Sequence, residues 1–124
     1  MDYVSSKDAP KAIGPYSQAI KANGFLFASG QVALDPASGE IVAGDFSAQV
    51  RRAFDNLRAV LRAGGTDFKR VIKATVYLTD LGNFQTMNAI YAEYFGDHKP
   101  ARTTVEVSKL PKGAQIEVDL VALV

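Results

Sequence analysis

The chain has 124 residues, 48% hydrophobic and 22% charged, with 14 basic and 13 acidic side chains, a formal net charge of +1 and no cysteine. That length suits one domain spanning residues 1–124, able to bury roughly two-thirds of its unfolded surface, and the composition excludes an intrinsically disordered chain. A charge so near zero argues against an electrostatic grip on nucleic acid or an anionic membrane, and the lack of cysteine removes disulfides, thiolate nucleophiles and zinc–thiolate sites.

The N-terminal MDYVSSKDAP has no basic stretch leading into an apolar run, so it does not read as a secretory signal, and its early acids argue against a transit peptide. No window approaches the ~18 apolar residues of a membrane span. A cytoplasmic protein is the expectation.

In KAIGPYSQAI, the turn formers Gly14 and Pro15 precede a short alternating run through Tyr16 to Ile20, read as the first strand. Asn23 and Gly24 then separate it from FLFASGQVAL, a nearly continuous apolar strand, so the two form a hairpin. The break at Gly30 suggests a bulge or a close backbone approach. DPASGE is a turn cluster, and Ile41 with Val42 is placed at a small strand edge.

From Phe46 the period changes. Phe46, Val50, Ala53, Phe54, Leu57, Val60 and Leu61 recur at helical steps, the arginines fall mostly on the other side, and Gly64–Gly65 ends the helix. VIKATVYL, residues 71–78, is a strand. A second helix from about Asn83 carries Phe84, Met87, Tyr91 and Tyr94 before Gly96 stops it. PARTTVEV and AQIEVDLVALV complete the chain as strands. This order fits one mixed sheet with two helices on one face, leaving an apolar second face that calls for other subunits.

Two strands carry charges out of keeping with their surroundings. Alternation puts Arg102, Thr104 and Glu106 on one face of PARTTVEV, and an arginine is rarely buried unless an anion meets it. In the last strand Ile116, Val118, Leu120 and Ala122 form an apolar face, and the other face bears Glu117 and Asp119. A salt bridge from Arg102 to Glu106, Glu117 or Asp119 would account for these charges structurally. If instead Arg102 and Glu117 share a cavity, the pair could clamp a substrate carboxylate and move protons. By the same residue-level reading, Tyr16 is a core-edge aromatic and Asn88 a solvated or interface residue.

Other chemistries lack their residues. His98 is the only histidine, there is no EF-hand spacing, no nucleophile elbow and no phosphate-binding glycine motif. Neither a metal site nor a nucleotide cofactor is indicated.

The segments AIGPYSQAI, FASGQV, DPASGEIV, NLRAVLRAGG, VIKATVYLTDL, FQTMNAIYAEYF and PARTTVEVSKLPKGAQIEVDLVA resemble, in order and over essentially the whole chain, the RidA (YjgF-like) reactive intermediate deaminases. The resemblance implies an α+β, chorismate mutase-like fold and a homotrimer with clefts between subunits. It also implies cofactor-free hydrolysis of 2-imino or 2-enamino acids, released by pyridoxal phosphate-dependent dehydratases, to 2-oxo acids and ammonia. By that resemblance Arg102 binds the substrate carboxylate and Glu117 positions or activates the attacking water. Tyr16 and Gly30 line the cleft, and Asn88 comes from the neighbouring subunit. Thr104 stands where many relatives have cysteine, a difference expected to change thiol reactivity more than deamination. Relatives without the arginine suggest a non-catalytic binding or regulatory trimer as an alternative, and ribonuclease or translation-inhibiting activity attributed to the family suggests another.

Overall fold

A computed structural model describes all of residues 1–124. Six strands form one sheet in the order β1-β2-β3-β6-β4-β5, where β1 is Asp2–Val4, β2 Ala19–Ala22, β3 Phe25–Gln31, β4 Val71–Leu78, β5 Ala101–Glu106 and β6 Ile116–Leu123. Only β4 and β5 pair in parallel, since the helix between them returns the chain in the same direction; every other pairing is antiparallel. Helices α1, Phe46–Ala63, and α2, Phe84–Phe95, pack on one face. No helix is long and apolar enough to cross a membrane.

Local chemistry explains most boundaries. The β2–β3 hairpin turns on Asn23 and Gly24, with φ of 52° and 81°, the left-handed pair a two-residue hairpin requires. Asp45 caps α1 by accepting from the Ala48 amide at 3.0 Å, and Gly64 closes it. The inward stripe of α1, Val50, Ala53, Phe54, Leu57, Val60 and Leu61, joins the inward residues of β3, β4 and β6 in one core cluster of 24 buried residues. Phe54 sits in its aromatic part, stacked on Tyr94 at 5.0 Å and edge-on to Tyr91 and Phe95.

Two expectations are corrected and one strand is added. The first strand through Tyr16 begins only at Ala19, because Gly14 and Pro15 turn the chain and the Tyr16 amide donates back to the Gly14 carbonyl at 2.9 Å. A strand at Asp2–Val4, too short to show a pattern, adds itself to β2. Ile41 forms a single bridge with Leu34 and no strand edge.

The second face of the sheet is uncovered. Register places Tyr3, Ile20, Phe27 and Val121 in one row across it, with Phe25, Leu123, Tyr77 and Val105 nearby. Tyr3 is 74% exposed, Phe27 48%, and Val105 and Leu123 37% each. Within this apolar surface lies a polar strip of Lys73, Thr75, Thr103, Glu117 and Asp119.

Candidate active site

Residues on adjacent strands that face each other in register share a face of the sheet. Arg102 pairs with Ala74 and Thr104 with Val76, so both point to the helix-covered side. Glu117 pairs with Tyr77, on the uncovered side. Arg102 and Glu117 therefore occupy opposite faces of one sheet, and the expectation that they look into a shared cavity fails within a single chain. The salt-bridge reading fails too. Arg102 makes no ion pair; the two in the chain are Arg51–Glu93 and Arg58–Asp55, and the Glu106 carboxylate accepts from the Leu81 amide at 2.9 Å.

One half of the site is built by α2 against β5. Phe84, Asn88 and Tyr91 lie at i, i+4 and i+7, one stripe of the helix. Asn88 Oδ1 accepts from Arg102 Nη1 at 2.7 Å, and the guanidinium carbon lies 4.8 Å from the Tyr91 ring centre and 5.6 Å from that of Phe84. The guanidinium is thus oriented by one hydrogen bond and two aromatic rings, with its remaining donors unspent on any carboxylate of the chain. Asn88, expected from a neighbouring subunit, serves the arginine of its own chain. The Tyr91 and Thr104 hydroxyls are both buried without a hydrogen-bond partner. Burial pushes the Tyr91 phenol up in pKa against the opposing pull of the Arg102 charge, so it stays neutral. Beside Arg102, a cavity of about 270 Å³ is lined by Tyr91, Phe95, His98, Lys99 and Pro100 among others.

The other half lies across the sheet. At Gly30 the β3–β6 register slips between Ala28 and Gln31, which realises the bulge, and the backbone there passes directly over Glu117. A methyl group at Gly30 would overlap the Glu117 carboxylate, with its Cδ at 2.8 Å. Burial, and then the charge of Asp119, raise the Glu117 pKa, holding the carboxyl protonated to higher pH than an ordinary glutamate. Tyr16 stands 52% exposed on the loop before β2, lining a groove with Tyr3, Lys11 and Gln18. The six candidate residues therefore fall into two patches of one chain and an exposed tyrosine. Sequence reasoning passed over Phe84 and Tyr91 as partners of Arg102, although their spacing around Asn88 carried the signal.

The model of the Endoribonuclease L-PSP family matches residues 6–124. A RutC family protein of Pyrococcus horikoshii is 53% identical over 98% of this chain and 96% of its own length. The human 2-iminobutanoate/2-iminopropanoate deaminase is 43% identical over 97% of this chain and 88% of its own. The crystal structure of Escherichia coli TdcF with bound serine superposes with a TM-score of 0.94 at 36% identity, covering 100% of this chain and 99% of that one. A six-stranded mixed sheet with two helices on one face is the architecture of the YjgF/RidA proteins. The chain belongs to that family.

Proposed function

We propose that the chain is a 2-iminobutanoate/2-iminopropanoate deaminase acting as a homotrimer, with each active site in a cleft where the Arg102 half of one copy meets the Glu117 half of the next. The observation that carries this reading is Arg102, oriented by Asn88 and two rings and paired with no carboxylate of its own chain. A fixed planar donor of this kind suits a substrate carboxylate, which it can hold through two parallel hydrogen bonds. The apolar uncovered face supplies the surface on which copies meet. The bound serine of TdcF shows a small amino acid held by a relative of this fold.

The chemistry asked of the cleft is modest. An iminium carbon is already electrophilic, so the protein anchors the carboxylate at Arg102, holds a water near Glu117 and returns a proton to the departing nitrogen. Water adds to the carbon, the C–N bond breaks, and a 2-oxo acid and ammonia leave. No nucleophile or cofactor is required. Gly30 brings backbone against the carboxylate, Tyr16 adds a hydroxyl at the mouth, and Thr104 shapes the wall beside Arg102.

The test couples a pyridoxal phosphate-dependent threonine or serine dehydratase to this protein and follows decay of the released imine. Accelerated decay with equimolar 2-oxo acid is expected; decay no faster than in buffer overturns the reading. The family's endoribonuclease description favours a second activity, which +1 net charge and a lone histidine, its Nε2 donating to the Val71 carbonyl at 2.6 Å, do not support. A salt-sensitive RNA-binding assay separates the two.

A further inference from the structure

The uncovered face carries a second carboxylate, Asp119, with no part in the proposed cleft. Asp119 is two residues beyond Glu117 on β6, so both side chains leave the same face of the strand about 7 Å apart along it. Tyr77 lies directly across from Glu117 on β4, and its hydroxyl reaches diagonally to donate to Asp119 Oδ2 at 3.0 Å. Tyr77 is thereby the partner of both residues, one by register and one by hydrogen bond.

No cation on this face cancels the pair. Lys73 of β4 is the charged group there, and its ammonium donates to Thr103 Oγ1 at 2.7 Å, in the row of Ala101 and Thr103. The β3 side contributes the Gly30 backbone and β5 contributes Thr103 and Val105, none of them charged. In the proposed cleft, an Arg102 from a second copy is engaged with the substrate carboxylate when the reaction occurs. Two carboxylates near each other on a half-buried surface disfavour double ionisation. With Asp119 two residues along the strand and held by a phenol, its charge opposes ionisation of Glu117.

Resting on the deaminase reading, we propose that Asp119, latched by Tyr77 on the same sheet face, is a positioning residue that favours the carboxylic-acid form of Glu117, from which it donates. Glu117 then hands its proton to the imine nitrogen, and the resulting carboxylate takes one from the water as the C–O bond forms. That proton passes to the amine nitrogen, and as the C–N bond breaks the Glu117 carboxylate takes the carbinol hydroxyl proton, so the 2-oxo acid and ammonia leave and Glu117 ends as the acid it began as. The direction of the Glu117 pKa, raised by burial first and by Asp119 second, agrees.

The experiment compares the wild-type protein, Asp119→Asn and Tyr77→Phe, each as the full chain, in imine hydrolysis from about pH 5.5 to about pH 9. Removing the Asp119 charge is expected to move the alkaline fall of kcat to lower pH by about half a unit, a roughly threefold loss on that limb, with a smaller loss at low pH. Tyr77→Phe is expected to move it the same way by less. Titration of the Glu117 side-chain carboxyl by carbon NMR is expected to show the same ordering. An unmoved Glu117 titration in Asp119→Asn, or a loss of kcat uniform in pH, overturns the proposal. An inactive wild-type protein overturns the deaminase reading instead, and the NMR titration then still decides whether Asp119 governs Glu117.

Discussion

The backbone of Gly30 lies so close over the Glu117 side chain that an added methyl would overlap the carboxylate, with Cδ only 2.8 Å away. Gly30 does not need glycine's left-handed freedom, since its φ is not among the positive ones. Its lack of a side chain serves the carboxylate's position. Gly30→Ala should therefore keep the fold within about 1 kcal/mol, because the carboxylate end of a flexible side chain can swing aside, while turnover falls at least about tenfold as the acid group leaves its place. Thermal melting beside imine kinetics checks this. Full activity in a folded Gly30→Ala protein would contradict it.

Arg102 and Asn88 should separate orientation from charge. Arg102→Lys keeps a cation but loses the planar fork that Asn88 and the two rings orient, so kcat/KM should fall by about 10² or more. Asn88→Ala leaves the guanidinium intact and less constrained. A rise in KM of about tenfold is expected there, with the oligomer unchanged by light scattering.

Thr104 presents a buried hydroxyl with no partner. Thr104→Cys replaces it with a group that demands less hydrogen bonding, and imine hydrolysis should stay within about tenfold, less than ~1.4 kcal/mol in the barrier. The new thiol should add sensitivity to oxidation. A hundredfold loss measured under reducing conditions would assign the hydroxyl a part in catalysis.

Tyr94 ties the two helices together. Its hydroxyl donates to Asp55 Oδ1 at 2.8 Å, and burial and that bond push its pKa up to about 12. A phenol harder to ionise folded than unfolded stabilises the fold fully below the usual tyrosine pKa of about 10, and that contribution is lost as pH rises toward 12. Denaturant melts should show stability dropping across this window in the wild type. The slope should be shallower in Tyr94→Phe, which gives up about 1 kcal/mol at neutral pH.

The sequence was most legible where periodicity and punctuation agree. The span of β4 matches the stretch read from VIKATVYL, and α1 ends at Gly64, because an eighteen-residue amphipathic stripe closed by glycines leaves little choice. Gly30 was readable as a bulge or close approach and is both. Tyr16 misled because its alternation with Ile20 competes with the turn that Gly14 and Pro15 impose. The candidate residues were found, but their grouping was not: alternation within β5 and within β6 fixes faces only relative to each strand. Which faces coincide depends on the register of both with β4, a long-range relationship. The same register puts Arg102 and Glu117 on opposite faces of one chain.

That division makes subunit mixing the most direct test of a shared cleft. Arg102→Ala and Glu117→Gln proteins, each separately inactive and each trimeric by light scattering, are unfolded together at equal concentration and refolded. In a randomly mixed trimer about one cleft in four draws its Arg102 half and its Glu117 half from the intact patches, so about a quarter of wild-type imine hydrolysis should return. Refolding either variant alone should give none. No recovery in verified mixed trimers would contradict a cleft built from opposite faces of two copies.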